Sequence, residues 1–220
     1  YDKNHKIIDK FIEWGGPKAD IWPHGVYCTR HNPDISLEDL INKPRKKNIV
    51  FVGSPHLKRE RLLKIKKYYG NRFELHGRWA EGSWERKIVR HMKNYYKFGQ
   101  FITPLSEEEM ITLYQNTKVG LNMHLSYGPS NVRTFELMAN GVAQVVDCKQ
   151  GIDEWFEIGK DLLAYEDTKE AIYLMDKLLK DDDYRKEIAY NGAKKVREKY
   201  TFIKTFEQMI SNVISNMKNL

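Results

Sequence analysis

Short apolar runs alternate with amphipathic stretches between residues 48 and 165. The apolar runs predict buried parallel strands, at 49–52, 73–75, 100–103, 119–123, 143–146 and 162–165. The stretches between them carry apolar residues every three or four positions and predict helices, at 57–69, at 84–96, onward from 106 and at 153–158. Such alternation is typical of βα units. We therefore predict an α/β fold, a Rossmann-like parallel sheet flanked by helices.

The two ends of the chain carry other patterns. Residues 1–14 predict a helix, and residues 18–47, with three prolines and a basic cluster, predict a connector. Three helices close the chain, and the last has an apolar stripe at helical spacing over residues 202–217, which favours a core face over a cofactor site. We divide the chain into an N-terminal helix and connector at 1–47, a Rossmann-like domain at 48–200 and a C-terminal helix at 201–220.

The composition is that of a folded protein, and it limits the possible kinds of binding partner only in part. Of the 220 residues, 41% are hydrophobic and 30% charged, which is enough apolar material for a core. No apolar run of membrane-spanning length occurs, and Cys28 and Cys148 show no metal spacing, so we expect a cytoplasmic protein, free or peripheral to a membrane. The net charge of +7 is consistent with a solvated basic surface, or with binding to a nucleoside diphosphate, to anionic lipid or to nucleic acid.

Residues 126–147 combine a Gly-Pro turn, a short helix that Gly141 ends and a buried strand. The N-terminus of a helix presents free N–H groups and a partial positive charge, and both attract phosphate. We predict that Ser130, Asn131 and Val132 bind a diphosphate through their backbone N–H groups. The side chains of these residues carry little of the prediction, because the main chain makes the contacts.

Two charged residues follow in the first turns of the same helix. Arg133 lies where the helix dipole disfavours a cation, so it indicates either a phosphate contact or a structural ion pair. Glu136 lies one turn further, where it can accept hydrogen bonds from a hydroxyl pair of a sugar or serve as a capping carboxylate. A diphosphate at the helix start and a ribose on Glu136 together describe a nucleotide-sugar site. We take Arg133 and Glu136 as the candidate catalytic residues.

Other candidates follow predicted strands at their carboxyl ends, where open α/β sheets bind ligands. Gly53 and Ser54 follow the first strand, and the glycine either lets a ligand approach the backbone or simply ends the strand. His124 faces the same edge, as a sugar or phosphate contact or as a structural histidine. Trp79 and Trp84 could stack on a base or an acceptor sugar, or pack in the core or at its rim.

Several other kinds of site lack their sequence signatures. The seven histidines show no HxxxH or HxH spacing, and the acidic run at 181–183 predicts a helix start, so we expect no metal. The chain has no GxGxxG, P-loop or GxSxG motif, which disfavours a dinucleotide oxidoreductase, a P-loop enzyme and a hydrolase elbow. We expect no cofactor, and a nucleoside diphosphate sugar as the donor substrate.

Five segments occur in an order that can be compared with known families. The segment RTFE at 133–136 is followed by small residues and Gly141. Around it lie FVGS at 51–54, HGRW at 76–79, LSEEEMITLYQNTKVGLNMH at 105–124 and YRKEIAYNGAKKVREKYTF at 184–202. This ordered set resembles the donor-binding half of GT-B glycosyltransferases of group 1, and most closely the branch typified by spore-maturation (CgeB-like) proteins.

The resemblance implies a donor site that extends beyond the helix at 131–139. It implies a basic residue after the first strand that offsets diphosphate charge, a loop near the donor after the second strand, and a segment that contacts the nucleobase. The residues at these positions, together with Thr134 of the RTFE segment, are Arg59, Arg61, His76, Arg78, Pro104 and Leu105.

The resemblance also implies an activity, the metal-independent transfer of a sugar to a glycan, lipid or protein acceptor. It covers only the second half of a GT-B enzyme. An N-terminal acceptor domain is therefore expected outside this chain, and the C-terminal helix is expected to pack back on the connector or on that domain. Gly128 stands where the wider retaining pattern has another glutamate, eight positions before Glu136, which leaves the stereochemistry of transfer open.

Two other functions stay open at the level of sequence. One is a non-catalytic module that binds a sugar nucleotide or a glycan within a larger complex. The other is a nucleic-acid-binding protein that uses the basic surface, and its affinity would fall steeply with salt. The chain lacks the interleaved aromatic and basic residues of an RNA-binding sheet, so we rank the nucleic-acid interpretation last.

Overall fold

The computed structural model describes residues 6–15, 23, 25–26, 34–54, 59–78, 83–124, 130–147 and 151–217, with the backbone alone at 6–8, 11, 59, 216 and 217. The helices are α1 Lys6–Glu13, α2 Leu37–Asn42, α3 Arg59–Tyr69, α4 Trp84–Phe98, α5 Glu107–Gln115, α6 Val132–Ala139, α7 Thr168–Lys180, α8 Asp182–Lys199 and α9 Phe202–Met217. The strands are β1 Lys47–Val52, β2 Phe73–His76, β3 Thr117–Asn122, β4 Ala143–Val146 and β5 Leu163–Ala164.

The five strands form one parallel sheet in the order β2-β1-β3-β4-β5. From β1 the chain crosses to β2 on one side, and it then returns to the other side for β3, β4 and β5. The carboxyl ends of β1 and β3 therefore flank the point where the winding direction reverses. The predicted parallel sheet is confirmed, and this edge is where such sheets place their ligands.

Helices cover both faces of the sheet. Ile49 and Phe51 point into a core cluster with residues of α3, α7 and α8. Val50 points the opposite way, toward Tyr114 of α5 and Leu137 of α6. Because the inner strands are buried on both faces, their sequences are continuous apolar runs rather than alternating ones.

The predicted strand at 100–103 is wrong, because these residues have no strand structure. Instead, the Gln100 side chain binds the outer edge of β2. Its Nε2 donates to the Leu75 carbonyl oxygen at 2.8 Å, and its Oε1 accepts from the Leu75 N–H at 3.3 Å. The Thr103 carbonyl oxygen accepts from the Gly77 N–H at 2.9 Å. These bonds occupy backbone groups of β2 that a further strand would otherwise pair.

Residues 34–47, which the sequence predicts as part of a connector, contain a short helix, α2, that packs against the helices around the sheet. The Ser36 Oγ caps α2 by accepting from the Asp39 N–H at 3.0 Å, and α2 packs against α8. The Arg45 guanidinium is buried, which lowers its pKa to about 10, with Arg185 adding to the effect. It donates to four backbone carbonyl oxygens, those of Leu40, Tyr114, Thr117 and Asn140. This side chain therefore joins α2 to the rest of the fold.

The predicted helix starts agree well with the structure, but the last apolar stripe does not. Ser106 and Glu109 form a capping box at the predicted start of α5, and Asp167 caps α7. The predicted helix at 153–158 is a single turn, Ile152–Glu154. On α9, Phe206, Ile210 and Val213 are each more than half exposed, so the interpretation of this stripe as core is wrong for these residues.

Candidate active site

The start of α6 is fixed by a reciprocal cap. The Asn131 Oδ1 accepts from the Thr134 N–H at 3.1 Å, and the Thr134 Oγ1 accepts from the Asn131 N–H at 3.4 Å. Thr134 is fully buried and serves this cap. No acceptor within the described ranges binds the N–H groups of Val132 and Arg133. These two donors are therefore the ones that the helix start leaves for a ligand.

Asn122, at the end of β3, organises the same corner and was missed by sequence reasoning. Its Nδ2 donates to Asn131 Oδ1 at 3.1 Å, to Thr134 Oγ1 at 3.0 Å and to Gln144 Oε1 at 3.3 Å. Its Oδ1 accepts from Arg133 Nη1 at 3.0 Å and from Asn131 Nδ2 at 3.1 Å. The signal in the sequence is a lone amide inside an apolar strand, because a fully buried amide requires polar partners.

The Arg133 guanidinium lies over the carboxyl end of β1. Its Cζ is 5.1 Å from the centroid of the Phe51 ring. A Cβ added to Gly53 would lie 2.4 Å from Nη2, and a Cβ added to Gly77 would lie 2.3 Å from the Gly53 carbonyl oxygen. Gly53 and Gly77 therefore let the loops and the guanidinium pack closely. No carboxylate of a described residue pairs with Arg133, so the alternative of a structural ion pair has no partner there.

The Glu136 carboxylate lies one turn along α6 and is half-buried. Across the described part of the chain, it accepts no hydrogen bond and forms no ion pair. Burial raises its pKa, the nearby Arg133 opposes this rise, and Glu107 adds to it. Tyr114, fully buried, is near enough for both Arg133 and Glu136 to influence its pKa, after the larger effect of burial. Glu136 thus has its full capacity to accept hydrogen bonds from a ligand.

His124 and Asp147 form a buried pair at the same edge. The Asp147 Oδ1 accepts from the His124 backbone N–H and lies 2.8 Å from its Nδ1, and both side chains are about 5% exposed or less. His124 Nε2 is buried with no partner among the described residues. Asp147 therefore fixes the ring and favours a proton on Nδ1. Sequence reasoning missed Asp147, although it directly follows β4 and the rule for strand ends could have found it.

The ring of His76 lies beside Glu74, two residues earlier in β2. Its Nε2 lies 3.5 Å from Glu74 Oε2, and Glu74 pairs with Lys47 at 2.7 Å. The hydrogen bond from His76, followed by that from Lys47, lowers the pKa of Glu74 to about 2. The other ring nitrogen of His76, Nδ1, is buried with no hydrogen-bond partner among the described residues.

The remaining predicted site residues differ in how far they are buried and in the loop or helix that carries them. Leu105 is half-buried and packs against the cluster that contains Val50, Tyr114 and Leu137. Pro104 and Arg78 are exposed, and Arg61 is exposed on α3. Ser54 and Ser130 flank the centre in the loops after β1 and before α6, while the side chain of Arg59 lies outside the described residues.

Metal clusters and membrane spans are both absent from the described part of the chain. No group of three or more His, Cys, Asp or Glu side chains in it is placed to hold a metal ion. None of its helices has the length and hydrophobicity needed to cross a membrane. Metal independence of donor binding stays a prediction.

The sequence itself shows the family. Residues 57–211, more than half of the chain, match a family described as glycosyl transferase-like. The chain belongs to this family. No curated protein matches the glycosyl transferase-like chain significantly.

Solved structures share the fold of this glycosyl transferase-like chain at low sequence identity. Sucrose-phosphate synthase from Thermosynechococcus elongatus superposes with a TM-score of 0.67 at 16% identity, over 96% of this chain and 57% of that one. HepE from Anabaena, solved in complex with UDP-glucose, gives 0.68 at 14% identity, over 94% and 61%. The C-terminal domain of the group 1 glycosyl transferase LpcC from Francisella tularensis gives 0.55 at 14% identity, over 81% and 100%.

These matches confirm the predicted fold and the recognition of a GT-B glycosyltransferase domain. The CgeB-like branch and the domain boundaries stay predictions. The chain spans 57% of the length of the sucrose-phosphate synthase and 61% of that of HepE. For that reason the activity of a whole enzyme, its substrates and its partners enter below as proposals.

Proposed function

We propose that this domain binds a nucleoside diphosphate sugar at the carboxyl edge of its sheet and takes part in sugar transfer. The observation that carries the proposal is the presence of Arg133 and Glu136, each without a partner of opposite charge among the described residues, on one helix. The guanidinium has no carboxylate partner and the carboxylate has no donor within the described structure. A ligand with an anionic part and a hydroxyl pair would satisfy both groups.

The diphosphate would lie at the start of α6. There it would meet the Arg133 guanidinium and the N–H groups of Val132 and Arg133. These donors are fixed before the ligand arrives, because Asn122 and the Asn131–Thr134 cap hold the helix start. Preorganised donors of this kind stabilise a leaving group by roughly 3–4 kcal/mol each.

The ribose would lie on Glu136, one turn further along the helix. An ionised carboxylate can accept from both hydroxyls of a diol, and such charge-assisted bonds contribute about 1.5–3 kcal/mol. With the proton on Nδ1, His124 Nε2 offers a further acceptor at this edge, for a sugar hydroxyl. HepE, of the same fold, has been solved with UDP-glucose and with UDP, and this supports a uridine nucleotide as the first ligand to test.

We propose that binding needs no divalent metal. The positive charge that a metal would supply to the diphosphate comes from Arg133 and from the N-terminus of α6. A thermal-shift panel of UDP, GDP, TDP and CDP, with and without EDTA, tests this. At a hundredfold excess over the dissociation constant, one of them should stabilise the fold by about 2.7 kcal/mol. No shift with any nucleotide would contradict the proposed site, and a shift that EDTA abolishes would contradict metal independence alone.

A further inference from the structure

Helix α4 presents three distinct faces. Asn94 and Phe98 are buried against the domain, whereas the rest of the helix is largely exposed. A helix turns about 100° per residue, so the exposed apolar side chains lie together on a second face. They are Trp84 at 69% exposure, Ile88 at 54%, Val89 at 51%, Met92 at 57%, Tyr95 at 48% and Tyr96 at 92%. Tyr95 stacks on the exposed Phe101, with ring centroids 4.7 Å apart, which extends this face.

The third face of α4 is basic and borders the apolar one. Arg86, Arg90, Lys93 and Lys97 recur every three or four positions and are all exposed. Lys87 lies across the helix, on the other side of the apolar face. Within the described structure, no carboxylate pairs with Arg86, Lys87, Lys93 or Lys97. The one acid of the helix, Glu85, is exposed in the first turn, at the Trp84 end of the apolar face, where it stabilises the helix dipole.

We propose that α4 docks this domain on an anionic lipid surface. An apolar face with a tryptophan at one end, bordered by lysine and arginine, is the chemistry of a helix that lies in the membrane interface. The apolar side chains would enter the acyl boundary. The long basic side chains would reach the headgroups, as their aliphatic stems permit. Neither signal alone gives stable attachment, and α4 supplies both.

Two other partners fit the surface of α4 less well, one because of its charge and the other because of the apolar side chains. A second copy of the chain in a twofold contact would bring two basic faces together, which costs energy. A nucleic acid would pair with the basic face and stack on the aromatic rings, but it would leave Ile88, Val89 and Met92 in water. An anionic lipid layer satisfies the apolar and the basic faces at once.

Helix α9 provides a matched control, because it exposes an apolar stripe with little charge. Ile210 is 54% exposed, the same as Ile88. Between residues 202 and 215 the only charged side chains are Lys204 and Glu207, which pair with each other at 3.0 Å. Equal changes at Ile88 and Ile210 therefore remove equal apolar contacts from a helix with basic neighbours and from one without them.

The test is co-sedimentation of the 220-residue chain with phosphatidylcholine vesicles, with and without about one third phosphatidylglycerol. We expect binding to the anionic vesicles, weakened by salt. Ile88→Ser should lower the vesicle affinity about tenfold, and Ile210→Ser should not change it. The pair Arg86→Glu and Lys93→Glu should lower it at least about tenfold, whereas Lys194→Glu with Lys199→Glu on α8, of equal net charge, should have little effect.

Tryptophan fluorescence distinguishes insertion from simple adsorption. Emission should shift to the blue on anionic vesicles, and Trp84→Phe should remove most of that shift because Trp84 enters the apolar layer. Equal binding to neutral vesicles, no binding at all, or equal losses in the α8 and α9 control variants would overturn the proposal. So would a dimer in sedimentation that Ile88→Ser converts to a monomer, because the face would then join two copies.

Discussion

At the scale of single residues, Glu136 is the side chain whose surroundings most clearly favour a ligand over a structural role. Burial raises its pKa above the ordinary value of 4.5, so in the range above that value the folded protein binds more protons than the unfolded chain. Ionisation of Glu136 therefore lowers the free energy of unfolding as the pH rises through this range. A capping carboxylate would have the opposite effect on stability.

Glu136→Gln should accordingly make the empty domain more stable at pH 7 and leave it nearly unchanged near pH 4, since glutamine has no charge to desolvate. Urea unfolding at both pH values measures the difference. Glu108→Gln, on the exposed side of α5, controls for the change in net charge. A Glu136→Gln variant that is less stable at pH 7 would assign the carboxylate a structural role.

Gly53 tests the placement of Arg133. Gly53→Ala places a methyl group 2.4 Å from the present position of Nη2, so we expect a loss of about 1–3 kcal/mol in stability. Arg133→Ala in the same chain should recover part of that loss, because the atom that clashes is gone. A double-mutant cycle by urea unfolding should give a coupling of about 0.5 kcal/mol or more. Additive effects would show that the guanidinium does not lie over Gly53.

At the scale of elements, the outer edge of β2 depends on one side chain. Gln100→Ala would leave the N–H and C=O of Leu75 and the ammonium of Lys66 without their bonds to the Gln100 amide. We expect a loss of about 1–3 kcal/mol and faster hydrogen exchange at the Leu75 amide. Gln208→Ala, at an exposed position of α9, serves as the control. Unchanged exchange at Leu75 would mean that the amide does not protect this edge.

The same edge explains what sequence patterns could and could not predict. All five observed strands fall within about two residues of their predicted bounds, because buried strands are apolar along most of their length. The predicted strand at 100–103 fails because side-chain and single backbone bonds satisfy β2 without a sixth strand. Helix α2 was missed because Pro44 and the basic cluster around it resemble a linker, and nothing local shows that Arg45 is buried.

The residues of the candidate site likewise include some that local sequence patterns predict and others that they do not. The helix start at residues 130–136 could be predicted because capping and dipole effects are local. Asn122 and Asp147 reach this corner only through the order of the strands, which local patterns do not reveal. Gly53 was predicted either to let a ligand approach the backbone or simply to end the strand, and the structure shows that its missing side chain makes room for Arg133.

At the scale of the whole molecule, we propose that sugar transfer uses protein surface beyond the described residues, because α9 exposes an apolar stripe and the chain spans only part of the related structures. We expect the 220-residue chain to bind donor but to transfer sugar more slowly than about 1 per second. Positioning of an acceptor against the donor accounts for about 7–11 kcal/mol of such a barrier, and the described residues contain one sheet with one candidate donor edge. Nucleotide release, measured against a panel of acceptors, tests this. Transfer at ordinary enzymatic rates would show that this domain carries its own acceptor site.

The most direct test of the central claim is a calorimetric titration of UDP and UDP-glucose into the protein and two glutamate variants. We expect binding to the unchanged chain without added metal. We expect a loss of at least about tenfold in affinity for Glu136→Gln, because the ribose loses charge-assisted bonds, and no change for Glu108→Gln. Equal affinities in all three proteins would contradict the proposed donor site, because the carboxylate on α6 would then hold no part of the nucleotide.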